Sequence, residues 1–329
     1  MSAVRVLSTM TFPPEWLAEV ATASDRVALE QIPAESAAEL PADALAAAEV
    51  LYTGSAFPTA EQAPRLRWVQ LDTSGADHVR RSPLWARDEV TVTSLAGVSP
   101  RPMAEYVMAM VLGFAHRLPR AARTRAERAW PSGAERWERY GPLHLPGSRM
   151  AIVGYGRLGR GIARAARAFG IDVVGVRRDG GRVYADEVPG VASVTVAQLD
   201  EALGSADWIV VCVPGTPETR GLVDAARLAC VKPGAHLIDV SRGGVVEQAA
   251  LLAALDDGRL AGAALDVFED EPLPASSPLW DDERIVLTPH ISGLASDYAE
   301  SVGALFKDNL ARYVAGEPLR NVIDRGLGY

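Results

Sequence analysis

The sequence predicts an α/β protein of two units, each a parallel sheet with helices on both faces. Three observations carry this. The 329 residues suit two domains of ordinary size. Short β-rich runs alternate with amphipathic stretches twice over, from Val4 to about Pro100 and again from Met150. That alternation favours parallel strands joined by helical crossovers. Hydrophobic residues make up 48% of the chain, enough for sizeable cores and far from a disordered composition.

In the first series, residues 4–7, 27–29, 49–52, 67–71 and 90–93 read as strands. Residues 13–21 and 42–48 read as helices, with proline near the first turn, where its missing N–H costs nothing. Residues 104–116 are strongly helical and apolar almost all round, the pattern of a helix buried between domains or subunits. Residues 117–139 are rich in Arg and Ala and carry Trp130 and Trp137. Their arginines read as a solvated face or arm rather than an anion patch, given the acidic balance of the chain. The second series places strands at 150–153, 171–176, 208–213, 237–240, 263–267 and 285–288. Six strands with intervening helices match a doubly wound dinucleotide-binding fold. Last, Tyr298, Val302, Leu305, Phe306, Leu310 and Tyr313 stand at helical spacing within 297–315, a helix expected to pack on the first series.

Composition narrows the function classes. Acidic residues number 42 against 33 Lys plus Arg, a net charge of −9, which argues against a general nucleic-acid binder. Only Lys232 and Lys307 are lysines. Cys212 and Cys230 both lie in apolar stretches and read as small core residues, with no disulfide framework. No run of 18 apolar residues suggests a membrane span, and Met1-Ser2-Ala3-Val4-Arg5 leads into a strand without a signal-peptide layout. A cytoplasmic protein is the expectation.

Gly154-Tyr155-Gly156-Arg157-Leu158-Gly159 fits G-x-G-x-x-G between an apolar strand and a helical stretch over 160–169. Gly154 would permit the tight turn, Gly156 the approach of a pyrophosphate and Gly159 the helix–strand contact. The helix N-terminus would offer its N–H groups to the phosphates. At the end of the next strand, where an acid usually meets the ribose hydroxyls of NAD, stand Arg177 and Arg178. A carboxylate repels a 2′-phosphate and guanidinium groups clamp it, so NADP(H) is the preferred cofactor, with NAD(H) possible.

Three later segments bring polar groups to strand ends: Ile238-Asp239-Val240-Ser241-Arg242-Gly243-Gly244-Val245-Val246, Leu265-Asp266-Val267-Phe268-Glu269-Asp270-Glu271-Pro272 and Leu287-Thr288-Pro289-His290. Each alone has a bland reading as a turn, an acidic loop or a cap. In this order, after the glycine loop, they closely resemble the D-isomer-specific 2-hydroxyacid dehydrogenase family. The resemblance spans nearly the whole chain. It includes Ser74-Gly75-Ala76-Asp77-His78, Ala104-Glu105-Tyr106, Leu145-Pro146-Gly147, Thr216-Pro217-Glu218-Thr219-Arg220-Gly221, Lys232-Pro233-Gly234-Ala235 and Ser277-Pro278-Leu279-Trp280.

The resemblance implies two Rossmann-like domains, a flavodoxin-like, discontinuous substrate domain (1–101 and 292–329) and a dinucleotide-binding domain (102–291), with the site in the cleft between them. It implies that Arg242 binds the substrate carboxylate and polarises the carbonyl, a task suited to a planar fork. His290 would be the general acid–base, suited to reversible proton transfer near neutrality. Glu271 would fix its tautomer and stabilise the imidazolium. The N–H groups around Gly75 and Ala76 would be a second anchor for the substrate carboxylate. On the cofactor side, Arg157 and Leu158 would stand in the pyrophosphate turn, and Val213 and Pro214 at the adenosine side. Val240, Ser241, Asp266 and Gly293 would stand near the nicotinamide, Asp266 through the carboxamide. A homodimer through the helix from Ala104 and the Arg/Trp arm is implied. No pair of histidines has zinc-ligand spacing, and hydride transfer to nicotinamide needs no metal.

Departures from the family pattern are Arg177 in place of an acid and Asp239 where Asn is common. Arg101, in Ser99-Pro100-Arg101-Pro102-Met103, reads as a solvent-facing hinge residue, with contact to a second substrate anion as the alternative. Among the other histidines, His236 opens a core strand, His116 lies on the apolar helix, His144 in a loop and His78 on a turn. The expected reaction is NADPH-linked reduction of a small 2-oxo acid such as glyoxylate or hydroxypyruvate. Glu271 argues against a formate dehydrogenase, which carries Gln there. A phosphoglycerate dehydrogenase is less expected, since that activity often comes with a further C-terminal domain. A NAD-dependent D-2-hydroxyacid dehydrogenase and a nucleotide-sensing corepressor-like dimer are the remaining alternatives.

Overall fold

The computed structural model describes residues 3–98, 100–179 and 186–329; Met1, Ser2 and Ser99 of the segments quoted above lie outside the described residues. In chain order the elements are β1 (Val4–Ser8), α1 (Pro14–Ala21), β2 (Val27–Gln31), α2 (Ala42–Ala47), β3 (Val50–Thr53), β4 (Trp68–Leu71) and β5 (Thr91–Thr93). Three helices follow, α3 (Pro100–Ala115), α4 (Leu118–Glu127) and α5 (Gly133–Tyr140). Then come β6 (Arg149–Val153), α6 (Arg157–Ala168), β7 (Asp172–Arg177), β8 (Ala192–Thr195), α7 (Leu199–Gly204) and β9 (Trp208–Val211). The chain closes with α8 (Ala225–Cys230), β10 (Ala235–Asp239), α9 (Gln248–Asp256), β11 (Leu260–Leu265), β12 (Ile285–Leu287) and α10 (Tyr298–Ala315).

The chain divides into two compact units, Met1–Val98 with Ala295–Tyr329, and Ser99–Leu294. In the first unit the strand order is β2-β1-β3-β4-β5, all parallel. This is the flavodoxin-like order. Alternation along each strand fills two cores. Val4, Val6, Val50, Tyr52 and Trp68 point to the face covered by α1 and α10, with Trp16, Phe306 and Leu310. Leu7, Leu51, Val69 and Leu71 point to the other face, with Leu45, Val79 and Leu84.

The second unit has the order β12-β11-β10-β9-β6-β7-β8, again all parallel. Met150, Ile152, Trp208 and Val210 face α3 and α6, whose Val107, Val111, Phe114, Ile162 and Ala166 cover them. Ala151, Val153, Ile209, Val211 and Leu237 face Leu203, Leu228, Leu251 and Leu255 of α7, α8 and α9.

Several expectations are corrected. The described part of the second sheet has seven strands, not six, because the short, half-exposed Ala-Ser-Val-Thr run of β8 pairs on β7. The strand expected to reach Val213 ends at Val211, since the backbone turns off at Cys212 to pass the glycine loop. Helix α3 begins at Pro100 rather than Ala104, since prolines fit a first turn. The Arg/Trp arm is two helices broken at Arg128, which has φ 56° and is followed closely by Pro131. His116, just past the end of α3, is exposed. Cys230 is exposed rather than in the core, because it stands two residues beyond the inward-facing Leu228 on α8.

Candidate active site

All strands of the second sheet run the same way, so their C-terminal ends deliver their following loops to one edge. The order reverses direction at β6, between β9 and β7, which is where such sheets open a crevice. The glycine loop leaves β6 at this point. The Gly154 and Tyr155 N–H groups donate to Val176 O at 2.9 and 2.8 Å, tying the loop to the end of β7. Gly154 has φ +110°, and a Cβ there would lie 2.7 Å from Cys212 O. A Cβ on Gly159 would lie 2.4 Å from Gly154 O, whereas one on Gly156 would meet nothing within 4 Å. The first and third glycines are therefore required by packing, and the second leaves open space at the N-terminus of α6. That cradle, with the N–H groups of Arg157, Leu158 and Gly159 on the first turn of a twelve-residue helix, fits a pyrophosphate.

Tyr155 contributes backbone only to this loop. Its ring is 1% exposed and packs on Gly175, where a Cβ would lie 2.2 Å from it. Val213 and Pro214 are half-buried at the end of β9, and the turn after them is held by Thr219 Oγ1 donating to Pro214 O at 2.6 Å. Burial and the nearby Asp239 push the Cys212 thiol up to about 12, so it is no thiolate nucleophile.

Arg177 and Arg178 are not equivalent. Arg178 is exposed. The Arg177 side chain is only 11% exposed and its Nη1 lies 2.9 Å from Glu187 Oε1, an ion pair absent from the sequence reading.

The turn after β10 carries Val240, Ser241 and Arg242. Ser241 donates to the buried Asp239 carboxylate through its N–H at 2.9 Å and its Oγ at 2.5 Å. Arg242 Nη1 donates to Ser241 O at 2.7 Å. Gly243 then lets this turn touch the one after β11; a Cβ there would lie 1.9 Å from Phe268 O. Burial pushes the Asp239 carboxyl up to about 7, against the lowering effect of the Ser241 bonds.

His290 and Glu271 are brought together directly. His290 Nδ1 lies 2.8 Å from Glu271 Oε2, and the second carboxylate oxygen accepts from Phe268 N at 2.9 Å. The carboxylate is thereby aimed, the ring's Nδ1–H is donated to it, and Nε2 is the nitrogen left for proton exchange. The His290 backbone is left-handed, with φ 53°, an uncommon conformation for a side-chain-bearing residue.

Asp266 holds that conformation. It is fully buried; its Oδ1 accepts from Thr288 Oγ1 at 2.6 Å and from Ile291 N at 2.8 Å, its Oδ2 from Ser292 N at 2.9 Å, and its carbonyl from His290 N at 3.0 Å. Thr288 gives its only hydroxyl proton to Asp266, so the Tyr106 hydroxyl, 2.6 Å away, donates to Thr288. Burial pushes that phenol up to about 12. Tyr106 and Thr288 stand in quoted segments, but their pairing across 182 residues has no signature in spacing. Gly293 follows Ser292, with Met103 as its nearest side chain at 4.0 Å.

Gly75 and Ala76 lie in the first unit, on the turn after β4, where Thr73 Oγ1 donates to Gly75 O at 2.7 Å and Ala76 is 3% exposed. Arg101 is exposed and pairs with Glu105 one turn along α3 at 2.9 Å.

The chain is similar to known proteins over most of its length. Residues 108–292 match the model of the D-isomer specific 2-hydroxyacid dehydrogenase, NAD binding domain. The structure of a D-isomer specific 2-hydroxyacid dehydrogenase from Xanthobacter autotrophicus Py2, in complex with NADPH and MES, is 31% identical and covers 100% of both chains with a TM-score of 0.82. The NADPH-dependent glyoxylate/hydroxypyruvate reductase of Sinorhizobium meliloti, in complex with NADP and sulfate, is 28% identical, covers 99% of this chain and 100% of its own, and has a TM-score of 0.82. A glyoxylate reductase from Korarchaeum cryptofilum is 31% identical over 268 residues, 80% of this chain and 78% of the relative. The chain also matches D-3-phosphoglycerate dehydrogenases, but spans only 40% to 48% of their length. With its glycine cradle, its Glu271–His290 pair and these relatives, the chain belongs to the D-isomer specific 2-hydroxyacid dehydrogenase family.

Proposed function

We propose that this chain reversibly reduces a small 2-oxo acid, of the glyoxylate or hydroxypyruvate kind, to the D-2-hydroxy acid, with NADPH preferred over NADH. The observation that carries this reading is the Glu271–His290 pair at 2.8 Å, set on a turn that Asp266 fixes from both sides. A bound nicotinamide supplies the hydride. His290 gives a proton from Nε2 to the carbonyl oxygen during reduction and takes it back in the other direction. Glu271 keeps Nδ1 engaged throughout. Arg242 binds the substrate carboxylate and polarises the carbonyl, and the N–H groups at Gly75 and Ala76 are the second carboxylate anchor in the same proposal.

On the cofactor side, the loop from Gly154 to Gly159 holds the pyrophosphate, and Val213 and Pro214 flank the adenosine. Val240, Ser241, Asp266 and Gly293 border the nicotinamide, and Arg177 and Arg178 meet the 2′-phosphate. The bound NADPH and NADP of the two solved relatives support that preference. Exposed Trp130 and Trp137, at 88% and 80%, support a homodimer through the α4–α5 arm. Light scattering at twice the 35.0 kDa chain mass is the expected outcome, and a single species at 35.0 kDa would refute it.

Absorbance at 340 nm with NADPH, then NADH, against a panel of 2-oxo acids tests the reaction. Faster NADPH oxidation with glyoxylate or hydroxypyruvate is expected. Silence with every acid overturns it, and equal or better kcat/KM with NADH overturns the cofactor preference. The second reading is a NAD-dependent D-2-hydroxyacid or phosphoglycerate dehydrogenase, favoured by the phosphoglycerate dehydrogenase matches and by the engagement of Arg177 with Glu187.

A further inference from the structure

At the end of β7 the charge of the proposed cofactor cradle is already answered from within the chain. Arg177 follows Val176, whose carbonyl holds the glycine loop at Gly154 and Tyr155. Its guanidinium is largely buried and paired at 2.9 Å with Glu187, whose carboxylate is 29% exposed. Glu187 is itself held in place through its neighbour. Asp186 Oδ1 lies 2.8 Å from Nη2 of the buried Arg160, and its Oδ2 3.2 Å from Nη2 of Arg164, both on α6. The pair therefore joins two anchored pieces of backbone rather than two mobile surface side chains.

We propose that Glu187 sets the strength of cofactor discrimination: its carboxylate competes with a 2′-phosphate for the Arg177 guanidinium. This rests on the NADP reading above and deepens it. A phosphate monoester carries close to two negative charges at neutral pH and pairs with guanidinium in the same forked geometry as a carboxylate. It reaches Arg177 either by displacing Glu187 or by sharing the cation with it, and in both cases Glu187 opposes it by like charge. NADH, with a 2′-hydroxyl, meets no such opposition. Glu187 thus selectively weakens NADPH and narrows the gap that Arg177 and Arg178 open.

The test is direct binding, by titration calorimetry of NADPH and of NADH to the full chain. Glu187→Gln keeps an oxygen to accept from Arg177 and removes the charge. NADPH is expected to bind about tenfold more tightly to this variant, roughly 1.4 kcal/mol, while NADH changes by less than about twofold. Adding Arg177→Ala should abolish the gain, since the two effects act through one contact. Glu187→Ser, which removes the carboxylate from Arg177, should shift the ratio in the same direction, and a thermal melt of each variant identifies any that fails to fold. An unchanged NADPH-to-NADH affinity ratio in both folded variants, or equal weakening of both nucleotides, overturns the proposal. A different result marks failure of the underlying reading: if neither Arg177→Ala nor Arg178→Ala alters the ratio in the parent chain, the arginines do not read a 2′-phosphate at all.

Discussion

His290 is the residue on which the proposed chemistry turns, and its loss has an expected size. A positioned general acid–base is worth about 10²–10⁴ in rate. His290→Ala should therefore lower kcat by at least about a hundredfold with little change in nucleotide affinity; an unchanged kcat would remove it from the mechanism. Two buried titratable groups elsewhere in the same unit act on stability instead. The folded chain keeps a proton on Asp239 up to about pH 7 that the unfolded chain releases near pH 3.8, so this group costs stability increasingly as pH rises between those values. Asp239→Asn removes that cost. Its melting temperature relative to the parent should be higher at pH 8 than at pH 5, by roughly 2–4 °C for each kcal/mol recovered; an equal difference at both pH values would contradict it. His236, packed between Phe114 and Trp208 at 5.0 Å from each ring, has the opposite sign. Burial, aided by Arg117, holds it down to about 4 from 6.5, so its contribution is lost as pH falls through that window. Between pH 6.5 and 4 the two groups offset each other, and only variants separate them.

At the scale of elements, the turns after β10, β11 and β12 behave as one assembly. Gly243 is its tightest contact, and Gly243→Ala should cost about 1–3 kcal/mol or more, the range for overpacking, read as a fall in denaturation midpoint. Tyr106→Phe leaves Thr288 without its donor and should lower kcat by about two- to tenfold with nucleotide affinity unchanged; a loss of affinity instead would place Tyr106 in binding. How far such features can be read from sequence depends on their range. The glycine loop, the β10 turn and the Glu271–Pro272 and Thr288–His290 segments are local patterns and stand out in the chain. The bond from Tyr106 to Thr288 and the Arg177–Glu187 pair join positions with no fixed spacing, so only the fold reveals them. Strand β8 escapes because its short, half-exposed run lacks the apolar signature of the buried strands it pairs beside. Pro100 and Pro102 read as a break between elements, yet a first helical turn accepts both.

At the scale of the molecule, the nucleotide cradle belongs to the sheet of the Ser99–Leu294 unit, and binding there should be visible as stability. A ligand at a hundredfold excess over its Kd adds about 2.7 kcal/mol. NADPH at that excess should raise the melting temperature by roughly 5–10 °C. Absence of any shift with either nucleotide would count against the cradle. The acidic balance of the chain, −9 overall, works against anionic ligands at long range, so the cluster of arginines around the end of β7 has to act locally.

The left-handed backbone at His290 has a further consequence, for how such a chain can decay. A side-chain-bearing residue in that region costs about 1–2 kcal/mol that glycine or asparagine largely avoids. His290→Gly and His290→Asn are thus expected to melt above the parent while turning over no substrate. A lineage released from the need for catalysis would drift toward either replacement and gain stability by it. In the proposed mechanism it is chemistry that keeps the histidine in this turn, and a relative carrying Gly or Asn at this place is expected to be a stable, silent copy.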